Sequence, residues 1–171
     1  MFLIFSNIYS YKRIIFLIMD NIDKKILEEL QKNSSQPLSE LSKKVGLSNT
    51  PCWNRIKNLE EEKIIKSKSI VIDNKKINLS ITVFLSISIQ NHTEEWLKNF
   101  QKVVNKYDQI IEVHRLTGSN IDYQITILSS SIEEYDKFQQ KLIKEIECTN
   151  MSSHISLQTI KKKYEYPLDF I

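Results

Sequence analysis

Apolar positions recur along this chain at two spacings, and the change from one to the other divides it. From Asp20 the run DNIDKKILEELQKN sets Ile22, Ile26, Leu27 and Leu30 on one helical face, with Asp20 or Asn21 placed to cap the free amides of the first turn. PLSELSKKVGLS repeats the period over a shorter helix through Leu38, Leu41 and Val45; Ser39 or a neighbour caps it, and Gly46 supplies the positive φ that ends helices. LSNTPCWNRIKNLEEEKI predicts a third helix, with Ser48 as N-cap and Pro51 in the first turn, where its missing N–H had no intrahelical partner to lose. Cys52, Ile56 and Leu59 then follow at helical spacing, which buries that face and leaves Asn49, Thr50, Asn54, Lys57 and Asn58 outside. This helix is predicted to end near Glu62.

IIKSKSIVIDNKKINL reads as two short extended pieces about the turn signal Asp73-Asn74, with Lys66, Lys68, Lys75 and Lys76 in solvent: a basic wing or a linker. The periodicity changes near Leu79, which sets the expected domain boundary: 19–79 and 80–171. From Ser80 the pattern is strand, helix, strand, strand, helix, strand. ITVFLSISI alternates with Ile81, Val83, Leu85, Ile87 and Ile89 on one face, and TEEWLKNFQKVVNKY carries the stripe Trp96, Phe100, Val103, Val104 and Tyr107. QIIEVHRL and IDYQITIL pair as strands about Thr117-Gly118-Ser119-Asn120. SIEEYDKFQQKLIKEI opens with Ser131 and Glu134 in capping-box spacing and buries Tyr135, Phe138, Leu142 and Ile146; SHISLQTI is the last predicted strand. The whole is an α+β protein: an N-terminal three-helix winged helix-turn-helix domain joined to a C-terminal ferredoxin-like βαββαβ domain. Both helices of the second domain cover one sheet face, and an exposed Phe84 on the other predicts packing against a second copy.

With 171 residues, 41% of them hydrophobic and 26% charged, the chain suits one or two small folded domains. Cys52 and Cys148 are its only cysteines, too few and too plainly spaced for a disulfide scaffold or a zinc site, so the expected compartment is the reducing cytoplasm. The net charge of +3 is uneven, at +2 over residues 1–18, +3 over 19–80 and −2 over 81–171. A basic front half permits nucleic-acid binding. Residues 1–18 hold two apolar runs split by Lys12 and Arg13, with no uninterrupted span of the ~20 residues that crosses a bilayer. They also lack the layout of a signal peptide. They are expected to be an extension from a start chosen upstream of Met19, or a disordered or membrane-touching tail.

A short helix, a turn at Gly46 and a helix with a polar start form the arrangement that reads DNA. A rod about 10 Å across fits the major groove, with donors near its N-terminus toward base edges and amides toward phosphate. Arg and Lys serve phosphates, and Asn pairs with adenine. Glu60, Glu61 and Glu62 repel phosphate and stand at the far end, where the groove contact stops. A three-helix bundle with an inert polar surface fits the same pattern.

The run LSELSKKVGLSNTPCWNRIKNLEEEKI resembles the helix-turn-helix of the leucine-responsive regulatory protein/AsnC (Lrp/AsnC, feast/famine) family, in which V-G-L-S-x-T-P-C leads into R-[IV]-x-x-L-E. The opening D-x-x-D-x-x-I-L-x-x-L-Q from Asp20 and the later HRLTGSNIDYQITI are similar to the same family, so the likeness spans nearly all of residues 19–171. It implies a cytoplasmic, sequence-specific transcriptional regulator that binds double-stranded DNA, dimerises through its C-terminal domain, assembles further into tetramers or octamers, and answers to a small-molecule effector, an amino acid. Carried over by position, the DNA-binding candidates are Ser48, Asn49, Thr50, Trp53, Asn54, Arg55, Lys57 and Asn58. Arg55 has two open roles, binding phosphate or tying its helix to the scaffold, and Trp53, beside the buried stripe, is expected to be half core. The effector-binding candidates are Thr117, Gly118, Ser119, Asn120, Asp122 and Tyr123. An amino acid needs an acceptor for its ammonium and amides for its carboxylate, which Asp122 and the glycine-containing backbone supply; a hairpin turn with a surface carboxylate is the plainer alternative. Gly118 and Asp122 stand four apart, where many members of the family have three.

His92, His114 and His154 lie far apart without metal-ligand spacing, and no phosphate loop, serine elbow or catalytic carboxylate pair stands out, so no metal, cofactor or catalytic residue is expected. Two rival readings stay open. Siroheme decarboxylases resemble this family throughout and would draw on the histidines if they converge, whereas a third reading is a module that assembles without acting on DNA.

Overall fold

The computed structural model describes residues 19–118 and 120–169. The predicted extension 1–18 and the candidate Ser119 lie outside the described residues. The chain forms two compact units, one of residues 19–71 with 161–169 and the other Ile72–Ile160. Residues 161–169 thus lie with the helices, and the unit boundary falls between Val71 and Ile72 instead of near Leu79.

The first unit contains α1 (Asn21–Lys32), α2 (Leu38–Val45) and α3 (Asn49–Glu61). Asp20 caps α1: its carboxylate accepts the N–H groups of Ile22 at 2.8 Å and Asp23 at 2.9 Å, and Asp23 Oδ2 accepts the Asp20 N–H at 3.1 Å. That reciprocal pair satisfies amides that no helical carbonyl reaches. α2 begins one residue before the expected cap. Its N-cap is Pro37, whose carbonyl accepts from Glu40 and Leu41, so Ser39 lies inside the helix. Gly46 closes α2 at φ 74°, a backbone state that side-chain-bearing residues avoid, and the Leu47 N–H reaches back to the Ser42 carbonyl at 2.8 Å. Ser48 occupies the N-cap of α3 without a side-chain cap bond. Ile26, Leu27, Leu41, Val45, Cys52, Ile56 and Leu59 make one buried cluster. The predicted wing pieces pair with nothing: 62–80 contains no strand, and Ile70, Val71 and Ile72 are exposed. Only the turn at Asp73-Asn74 forms, held by Asn74 Nδ2 donating to the Leu79 carbonyl at 2.6 Å.

The second unit is β1 (Ile81–Ser88), α4 (Glu94–Lys106), β2 (Ile110–Arg115), β3 (Tyr123–Ser129), α5 (Ile132–Glu145) and β4 (Asn150–Ile155). The antiparallel sheet runs β2-β3-β1-β4. Alternation decides its two faces: Val83, Leu85 and Ile87 on β1 and Tyr123, Ile125 and Ile127 on β3 are buried under Phe100 and Val103 of α4 and Tyr135, Phe138 and Leu142 of α5. Ser131 caps α5 by accepting the Glu134 N–H at 3.2 Å. β4 starts at Asn150, ahead of the predicted Ser153, because its register follows β1 from Ser88↔Asn150 to Val83↔Ile155. On the opposite sheet face Phe84 is 37% exposed, facing the solvent side with its pairing partners Thr126 and His154.

Candidate nucleic-acid interface and ligand cleft

α3 presents its polar arc because its apolar arc is spent. Cys52, Ile56 and Leu59 point into the helical core, which leaves Ser48, Asn49, Thr50, Asn54, Lys57 and Asn58 exposed, as the spacing predicts. Asn49 is partly engaged, its Oδ1 accepting from the Ser42 hydroxyl at 2.7 Å, which ties the start of α3 to α2. Trp53 departs from the half-core expectation. It stands 50% exposed, and the Lys57 ammonium lies 5.1 Å from its ring centroid, one helical turn on. The exposed arc of α3 therefore carries a large flat ring among donors.

Of the two roles open to Arg55, the structure shows the scaffold tie. Its Nη1 donates to Asp20 Oδ2 at 2.7 Å and to Asp23 Oδ1 at 2.9 Å, so one guanidinium nitrogen joins α3 to the capping box of α1. The Asp23 side chain is only 10% exposed. These bonds, the one to Asp23 foremost, hold Arg55 charged, and the Asp23 N–H, then Arg55, pull the Asp20 carboxyl below its ordinary value. A small cavity beside this pair, about 420 Å³, is lined by Asn54, Asn58 and Glu62 as well.

In the second unit, His92, Arg115, Leu116, Thr117, Gly118 and Asp122 line an open cleft of about 480 Å³. Gly118 turns at φ 93°, in the region that favours glycine, and an added Cβ would meet nothing within 4 Å, so conformation and not space selects it. Asp122 is already engaged. Its Oδ2 accepts the Ile89 N–H at 2.8 Å and its Oδ1 lies 2.8 Å from His92 Nε2. Together with the more distant Arg115, these contacts lower its pKa, the Ile89 N–H contributing most. Asn120 lies outside the cleft lining and accepts a hydrogen bond from the Ser88 hydroxyl through its carbonyl. Tyr123 corrects the expectation of a ligand contact: it is 5% exposed and packs with Trp96 and Phe100, ring centroids 5.3 and 4.8 Å away. The strand alternation that buries Ile125 and Ile127 turns Tyr123 inward too. His92 and Arg115 are cleft residues that spacing alone does not reveal, although Arg115 directly precedes the Leu116–Asn120 loop. His114 pairs with Glu112 at 2.8 Å on β2, and His154 lies on β4, the other edge of the sheet. Three strand spacings, roughly 14 Å, separate those edges, so these two histidines do not converge.

A helix-turn-helix with a polar, exposed reading helix, followed by a ferredoxin-like unit with a polar cleft, defines a two-domain DNA-binding protein with a ligand-binding domain. The profile described as Winged helix-turn-helix DNA-binding matches residues 19–66, and the Lrp/AsnC ligand binding domain matches residues 82–166. The glutamate uptake regulatory protein of Zymomonas mobilis is 39% identical over 150 residues, covering 88% of this chain and 91% of that protein. Among solved structures, an AsnC family transcriptional regulator from Agrobacterium tumefaciens is 40% identical with a TM-score of 0.85, covering 90% of this chain and 99% of that one. A transcriptional regulator from Neisseria meningitidis, solved in complex with L-Met, is 27% identical with a TM-score of 0.84, covering 89% and 98%. The chain belongs to the Lrp/AsnC family of transcriptional regulators. No helix among the described residues is long and apolar enough to cross a membrane.

Proposed function

We propose that α3 reads the DNA major groove through Thr50, Trp53, Asn54, Lys57 and Asn58, with Ser48 and Asn49 at its amide-rich start, and that an amino acid in the Arg115–Asp122 cleft changes DNA affinity or assembly. The observation that carries the reading is the bare arc of α3, opposite a fully packed Cys52–Ile56–Leu59 face. Asn54 suits bidentate pairing with adenine, Lys57 suits phosphate, and Trp53 offers an apolar surface to a thymine methyl. Arg55 works indirectly, by fixing the angle of α3 on α1. Copies associate through the open sheet face that carries Phe84, pairing two reading helices on half-sites about one DNA turn apart. The relative solved with L-Met supports an amino acid as the effector class. In the cleft, Arg115 faces an effector carboxylate, while Asp122 keeps acceptor capacity for an ammonium beyond the bonds it already makes.

The test is fluorescence anisotropy with DNA from upstream of the protein's own gene, at stated salt and with nonspecific competitor. Binding that survives competitor is expected, and its loss overturns the DNA reading. Thermal-shift measurements across the common amino acids then identify the effector as the one that raises the unfolding temperature, since a ligand of the native state stabilises it by mass action.

A further inference from the structure

Residues 161–169 belong to the helical unit even though they follow the last strand of the other. Gln31 of α1 grips the backbone of Tyr166 on both sides: its Nε2 donates to the Tyr166 carbonyl at 3.2 Å and its Oε1 accepts the Tyr166 N–H at 2.5 Å. Leu168 packs against the cluster built on Ile26, Leu41 and Cys52. A side-chain amide that satisfies both polar groups of one residue, beside an apolar anchor, makes this segment a strap fixed on α1.

Directly before the anchor stand Lys161, Lys162 and Lys163, all exposed. Lys163 is three residues from Tyr166, so no more than roughly 10 Å of chain separates it from α1. Four other cations of this unit are held by carboxylates. Arg55 is held by Asp20 and Asp23, Lys32 and Lys44 by Glu29, and Lys68 by Glu60. Lys161–Lys163 have no carboxylate partner among the described residues; Lys162 lies 5.1 Å from the Tyr164 ring, which leaves its charge uncompensated. Glu165, the acid nearest the run, is close enough to Lys32 to favour its charged form, so its field is shared with α1.

We propose that Lys161–Lys163 form a second phosphate-contacting element of the DNA-binding unit, set in place by the Tyr166–Leu168 anchor. This rests on the DNA-binding reading of α3. The ligand is the sugar-phosphate backbone and not base edges, because three flexible ammonium groups on chain outside any helix or strand supply point charge without the planar fork or fixed register that base readout needs. The element therefore adds affinity uniformly across sequences and leaves the choice of site to α3.

The experiment measures DNA affinity of the full chain as a function of salt. The triple variant Lys161→Gln, Lys162→Gln, Lys163→Gln is compared with a charge-matched control, Lys137→Gln, Lys141→Gln, Lys144→Gln on α5. Each phosphate contact contributes about 0.9 to the slope of log K against log salt, so the strap variant is expected to bind with a slope shallower by roughly 2–3 and an unchanged ranking of DNA sequences, while the control keeps the wild-type slope. Equal slopes for strap variant and wild type overturn the proposal, as does an equal loss in the control, which marks a mere net-charge effect. If the wild type itself shows no DNA binding at any salt, the reading of α3 falls and the proposal with it, a result distinct from either of those.

Discussion

α3 and the Asp122 cleft both hold polar side chains ready for a partner, and they do it by opposite means. Every candidate on α3 belongs to one continuous stretch, Asn49–Glu61, and is aimed by a single buried stripe. The cleft gathers His92 from beyond β1, Arg115 from the end of β2 and Asp122 from just before β3, so its geometry exists only after the strands pair. A helical surface inherits its geometry from a 3.6-residue period, whereas a loop-built cleft inherits it from sheet register. Damage to one should therefore spare the other unless it reaches a core.

The largest effects come from those cores. Leu41→Ala and Leu142→Ala each remove a fully buried side chain, one under α3 and one under the sheet, at a cost of about 2–5 kcal/mol apiece. Calorimetry is expected to show Leu41→Ala lowering one transition and Leu142→Ala another, with DNA affinity following the first and effector stabilisation the second. Coincident shifts in both variants would break the comparison, because the two sites would then share one cooperative unit.

Next in size is Asn54→Ala, expected to cost about 1–3 kcal/mol in DNA affinity and to relax preference at one base position. Melting temperature should barely move, since Asn54 is exposed. A uniform loss across all DNA sequences would reassign Asn54 to phosphate.

The same contrast explains what could be read from the chain. The α3 stripe, the Gly46 stop, Pro51 in the first turn and the first three strands of the sheet are short-range patterns, and each lies where its period predicts. The start of β4 was not legible, because Asn150 joins the strand only through its partner Ser88 on β1. Of the wing and the linker that the stretch left open, the structure fits the linker: Ile70, Val71 and Ile72 have strand-like composition but are exposed and lie in no strand. The His92–Asp122 contact joins residues 30 apart and leaves no trace in local spacing. Tyr123 was legible, since its alternation with Ile125 and Ile127 places it on the core face; family position pointed the other way.

Arg55→Ala sharpens the contrast from the α3 side. It strips the cation from two carboxylates, one nearly buried, and is expected to destabilise the helical unit by about 1–2 kcal/mol after allowance for the partial exposure of the guanidinium. Urea unfolding measures it. A DNA-affinity loss with unchanged stability would return Arg55 to the phosphate role.

The smallest effect distinguishes the cleft by its charge. Asp122 has a pKa held below its ordinary 3.8, chiefly by the Ile89 N–H and then by His92. A carboxylate whose folded pKa is depressed adds stability that is fully present above the unfolded value and disappears as pH falls through the folded one. Asp122→Asn keeps the shape and cannot ionise. At neutral pH the variant should be the less stable, and the gap in melting temperature should close as pH drops below 3.8, where wild-type Asp122 takes up a proton. Asp20 and Glu145 also have lowered pKa values, but wild type and variant share them, so their acid losses cancel in the difference. A gap that stays constant from neutral to acid pH would mean that the fold uses the Asp122 side chain for its shape and hydrogen bonds alone, and that its negative charge is held in reserve for the ligand.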